Sequence, residues 1–103
     1  MNAVLAAMHA DPARKWTLAM LANVAGMSRS SFAVRFKDSV GEPAMDYLTR
    51  WRMMLAADRL ANESMSISLV APTVGYESES AFGAAFKRVF GYSPRRYAKV
   101  ARR

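Results

Sequence analysis

The chain of 103 residues has no cysteine and a single histidine. Without cysteine there is neither a disulfide framework nor a thiolate metal site, and one imidazole cannot make a ligand cluster, so zinc and thiol redox chemistry find no support. The same lack agrees with a reducing, cytoplasmic setting. Proline and glycine are sparse, at four and five, and no interval is rich enough in Gly, Ser or Pro to be a flexible linker. Long apolar runs are missing as well. MNAVLAAMHA at the start is too short for a membrane span and has no basic leader before a long apolar stretch, so it is expected to be a short first helix rather than an anchor or signal. No segment alternates in the manner of a strand. Nor can a nucleophile, a base and an oxyanion set be assembled: His9 has no Ser, Cys or metal partner patterned around it, and Glu77 with Glu79 is too ordinary a pair for acid–base work. An enzyme, a metal site and a cofactor are therefore not expected.

Negative charge is the other shortage. Fifteen Lys and Arg stand against eight Asp and Glu, a net charge of +7, which suits a polyanionic partner without saying anything about the fold. From Ala81 onward there is no acidic residue, while Lys87, Arg88, Arg95, Arg96, Lys99, Arg102 and Arg103 are basic. Arg102 and Arg103 read as a solvated tail; the other five fall inside patterned sequence.

What the chain does have is an internal echo. GMSRSSFAVRFKDSVG at 26–41 returns as GYESESAFGAAFKRVFG at 75–91, with Ser28 and Ser78, Ser30 and Ser80, Phe32 and Phe82, Phe36 and Phe86, Lys37 and Lys87, and Gly41 and Gly91 at one offset. A repeat of this kind implies one supersecondary unit used twice. Before each copy lies a short apolar helix. TLAMLANVAG puts Leu18, Leu21, Ala22 and Ala25 on one face, with Thr17 as N-cap and Gly26 at the exit; ISLVAPTVGY repeats that spacing with Ile67, Val70, Ala71 and Val74 behind Ser66. Pro72 predicts a kink or an irregular turn, because it removes a backbone donor and crowds the carbonyl of Ser68. In the second helix of each pair Phe32, Phe36 and Val40, or Phe82, Phe86 and Val89 or Phe90, form the inward stripe. Gly83 is the weak point of its helix, costing about 1 kcal/mol relative to Ala.

Between the copies, YLTRWRMMLAADRLAN supplies the longest helical pattern, with Tyr47, Leu48, Trp51, Leu55 and Leu60 as expected anchors. A last helix is expected near Pro94, continuing through Tyr97 and Val100. The fold class that follows is all-α, with about seven helices. It divides into a helix-turn-helix subdomain over 1–46, a long linking helix over 47–62 and a second helix-turn-helix subdomain over 63–103.

A helix-turn-helix can set the start of its second helix in the major groove of B-form DNA, and two copies on a stiff connector reach grooves about 34 Å apart, so that a monomer does what symmetric repressors do as dimers. The outward positions of the first such helix are Arg29, Ser30, Ala33 and Val34, and of the second Glu79, Ser80, Gly83 and Ala84; these are the candidate base contacts. Lys37, Lys87, Arg88, Arg95, Arg96 and Lys99 are candidate phosphate contacts, since long basic chains near the groove walls act chiefly by charge neutralisation. For each the plainer alternative is an ordinary solvated side chain. The aromatics lie in core phase, which favours packing over the base stacking of a single-strand binder.

These residues resemble the C-terminal DNA-binding region of the AraC/XylS family of bacterial transcription regulators. The resemblance runs from about Trp16 to Tyr97: TLAMLANVAGMSRSSFAVRF is similar to the first helix-turn-helix of that family, YLTRWRMMLAADRL to its linking helix, and ISLVAPTVGYESESAFGAAFKRVFGYSP to its second. It implies sequence-specific binding of double-stranded DNA at promoters, commonly with activation. It also implies an upstream, cupin-like sensory domain as in the matching subgroup; that domain and RNA polymerase are the expected protein partners. The family often carries arginine where this chain has Val34 and Ala84, so two long donors are replaced by groups that can instead touch thymine methyls. The alternative is a protein-interaction module of the same fold that binds DNA only weakly and without specificity.

Overall fold

The computed structural model describes residues 1–101 and contains seven helices among them: α1 (Asn2–Ala10), α2 (Leu18–Ala25), α3 (Arg29–Val40), α4 (Ala44–Asn62), α5 (Ile67–Thr73), α6 (Glu79–Phe90) and α7 (Pro94–Ala101). Arg102 and Arg103, read as a solvated tail, lie outside the described residues. The chain divides into two compact units, the first Met1–Thr49 and the second from Arg50 onward.

Hydroxyl caps set where the helices start. The Thr17 side chain accepts from the Met20 N–H, Ser28 from Ser31, Ser66 from Leu69 and Ser78 from Ala81 at 3.1–3.3 Å, and Ser93 does the same for α7 through the Arg96 N–H at 3.1 Å. Each bond satisfies a donor that a helix start leaves without an intrahelical partner. The exits match too. α3 and α6 both end on a glycine in the left-handed region, Gly41 at φ 98° and Gly91 at φ 85°, whose N–H groups donate to the carbonyls of Lys37 and Lys87 at 2.8 and 2.7 Å.

In the first unit α1 packs on α2 and α2 on α3, burying Val4, Met8, Trp16, Leu21, Ala22, Phe32, Phe36, Ala44 and Leu48. The Trp16 indole donates to the Asp11 carbonyl at 2.9 Å, and the Arg14 guanidinium lies 4.6 Å over the same ring. His9 is exposed, as its position at the end of a helix suggests, and its Nε2 is 2.8 Å from the Tyr47 hydroxyl. In the second unit α5 packs on α6 and α6 on α7, around Met53, Ala56, Ala57, Leu60, Val70, Ala71, Val74, Phe82, Ala85, Phe86 and Ala98.

The echo in sequence is an echo in packing, and it runs further than Gly91. Phe32 and Phe36 have ring centroids 5.7 Å apart at 56°, and Phe82 and Phe86 stand 5.8 Å apart at 56°. Tyr47 then meets Phe36 at 5.7 Å and 64°, and Tyr97 meets Phe86 at 5.6 Å and 59°. The beginning of α4 is thus to the first unit what α7 is to the second, with Ala44 and Leu48 buried in the places of Pro94 and Ala98.

Three expectations need correction. The long helix starts at Ala44, three residues before Tyr47, directly after Pro43, whose carbonyl accepts from the Tyr47 N–H. Its buried positions are not one stripe: Leu48 and Leu60 are buried as expected, Tyr47, Trp51 and Leu55 only partly, and Met53, Ala56 and Ala57 are buried instead. One helix serves two cores, so no single periodicity describes it. Thirdly, Pro72 stands next to last in α5, and the exit that follows it keeps the hydrogen-bond pattern of the α2 exit. There Gly75 and Tyr76 donate to the carbonyls of Pro72 and Ala71 at 3.2 and 3.0 Å, as Gly26 and Met27 donate to those of Asn23 and Ala22, both at 3.0 Å. The Thr73 carbonyl accepts from Arg59 at 3.3 Å, a basic side chain closing a helix C-terminus. α7 starts at Pro94 and continues through Tyr97 and Val100 as expected, with Val100 exposed.

Candidate nucleic-acid interface

Each unit offers one helix whose core face is filled by two phenylalanines and whose opposite face is open. On α3, Arg29, Ser30, Val34 and Lys37 are exposed and Ala33 partly so; Val34 stands out, an apolar β-branched side chain at 64% exposure. A shallow concavity beside it is lined by Met27, Ser30, Ser31, Val34, Arg35 and Asp38. Arg35 is exposed and basic on this helix, and it is absent from the candidates drawn from sequence. Its signal is a cation next to Val34 on the same helix; the repeat holds Ala85 at the matching place, buried in the second unit.

On α6, Glu79, Ser80, Ala84, Lys87 and Arg88 are exposed and Gly83 partly so. Glu79 occupies the first turn, where a carboxylate is favoured by the positive end of the helix dipole. Lys37 and Lys87 sit in the last turns of α3 and α6, where a cation is stabilised by the opposite end, so part of their presence has a local reason. Arg95 and Arg96 have no such reason. They are exposed in the first turn of α7, which holds no acidic residue, and cations there oppose the helix dipole. Lys99 is exposed one turn further on. Among the described basic groups, Arg52 has a pKa lowered by burial, with Tyr76 acting electrostatically in the other direction.

Among the described residues no group of His, Asp or Glu is arranged to hold a metal ion, and no helix is long and apolar enough to cross a membrane.

The model of the family described as "Helix-turn-helix domain" matches residues 21–100. Over 95 residues the chain is 50% identical to an AraC-like transcription regulator of Streptomyces lividans, covering 92% of this chain and 31% of that protein. The chain belongs to the AraC-type helix-turn-helix family. Within it, the RCS-specific transcriptional activator RclR of Escherichia coli K12 is 39% identical over 102 residues, 99% of this chain and 36% of that one. Among solved structures, the DNA-binding domain of the global transcriptional factor AdpA in complex with a target DNA superposes with a TM-score of 0.91 at 29% identity, covering 96% of this chain and 89% of that one. A DNA-binding transcriptional dual regulator from Escherichia coli K12 gives a TM-score of 0.85 at 28% identity, covering 95% and 87%. The chain spans about a third of the length of the curated AraC-type relatives it matches. These relatives are regulators and DNA-binding domains rather than catalysts, in agreement with the non-enzymatic composition of the sequence.

Proposed function

We propose that this domain binds specific sequences of double-stranded DNA in transcription regulation, with α3 and α6 each entering a major-groove segment. The observation that carries the proposal is the duplication of a capped helix pair in which the same positions point outward twice. In this reading Arg29, Ser30, Ala33 and Val34 face the bases of one half-site, and Glu79, Ser80, Gly83 and Ala84 those of the other. Lys37, Lys87, Arg88, Arg95, Arg96 and Lys99 neutralise phosphates, with Arg35 added on α3. Residues 1–46 and 63–103 are the two reading modules and 47–62 the link between them. Relatives about three times as long support a regulator with further domains, and a cytoplasmic location is part of the same proposal. A cupin-like sensory domain upstream and contact with RNA polymerase belong to that proposal.

Val24, Val34, Leu69 and Val100 are exposed apolar side chains, and they favour the second reading, a protein-interaction module with weak, non-specific DNA binding. Selection from a random duplex library at stated salt separates the two. Enrichment of a bipartite motif supports sequence readout; retention without enrichment supports the second reading, because non-specific affinity is essentially electrostatic.

A further inference from the structure

Gly83 lies in the middle of α6, where glycine weakens a helix. The usual reasons for keeping it are missing. Unlike Gly26, Gly41 and Gly91, it does not have a positive φ. Packing does not require it either: apart from its chain neighbours and the adjoining helix backbone, no heavy atom of the described residues lies within 4 Å of where its Cβ would stand. The matching position of α3 holds Ala33, partly exposed. Gly83 is itself partly exposed and shares its side of the helix with Glu79, Ser80 and Lys87, all exposed.

A helix with its side chains is about 10–12 Å across and the major groove about 12 Å wide, so clearance is short and one methyl group decides how deeply the backbone can sit. Close approach of backbone to ligand is a use of glycine that needs no cause inside the protein. Resting on the duplex-binding reading above, we infer that Gly83 is a clearance position. It lets the backbone of α6 lie against the duplex more closely than α3 can, so that Glu79 and Ser80 reach base edges from a short distance.

The test is Gly83→Ala with Gly83→Ser, measured for thermal unfolding and for binding to the duplex selected by the wild-type domain. A clearance role predicts opposite signs. The alanine variant unfolds about 4–8 °C higher, because the helix gains what glycine withheld, yet binds about 5- to 100-fold more weakly, the worth of one good base contact. The serine variant binds no better than the alanine variant. Weakened protection in a footprint falls on the half-site covered by α6. A more stable Gly83→Ala variant with unchanged affinity overturns the clearance role and leaves the duplex-binding reading intact. Failure of the wild-type domain to prefer any duplex overturns both.

Discussion

Val34 is 64% exposed on a helix whose other face is closed by Phe32 and Phe36, and exposed apolar groups on a groove-facing surface meet the thymine methyl best. Replacing thymine by uracil in the α3 half-site removes one methyl group at a time, and each contacted methyl is worth roughly fourfold in affinity. Wild-type protein is expected to lose about that much at one or two positions, while Val34→Ala loses much less on the same change. Equal sensitivity of both proteins in a filter-binding or anisotropy titration takes Val34 off the reading face. Ser30, Phe32 and Phe36 were legible in sequence because helical phase alone sorts inward from outward on a short amphipathic helix. The Tyr47 hydroxyl beside His9 and the Arg59 donation to Thr73 were not, since they join residues 38 and 14 positions apart that no local pattern connects.

Among the elements, the short helices were the readable ones. Thr17 and Ser66 announce a helix start, Ser28 and Ser78 hold one place in the repeat, and in each case the hydroxyl makes the capping bond. Removing such a cap costs about 1 kcal/mol, so Ser78→Ala is expected to lower the urea midpoint accordingly with an unchanged m-value. A change within error shows that the Ala81 N–H finds another partner at no cost. α4 was harder. Its mean pattern is blurred because Leu48 serves the first core and Met53, Ala56, Ala57 and Leu60 the second. The repeat was legible as far as Gly91 and then faded, because Ala44 and Pro94, or Leu48 and Ala98, are equivalent in place but not in residue type. Only Tyr47 and Tyr97, each against the second phenylalanine of its pair, keep the likeness visible.

For the whole molecule, the proposed reading has the net charge of +7 supply affinity and the two outward helices supply choice, two contributions that are experimentally separable. Replacing Arg95 and Arg96 together by Ala is expected to weaken binding to most duplexes and to lower the slope of log affinity against log salt by up to about two units. An unchanged slope removes both from the phosphate contacts. Choice is tested by adding long donors in place of Val34 on α3 and Ala84 on α6. The most direct measurement is a per-position base-preference profile of wild type, Val34→Arg and Ala84→Arg, each checked by circular dichroism for intact helices. If α3 and α6 read separate half-sites, Val34→Arg raises the preference for guanine in one half-site and Ala84→Arg in the other, each leaving its counterpart unchanged. If the folded variants bind more tightly with profiles identical to wild type, neither position faces a base edge, and the two-helix readout is contradicted.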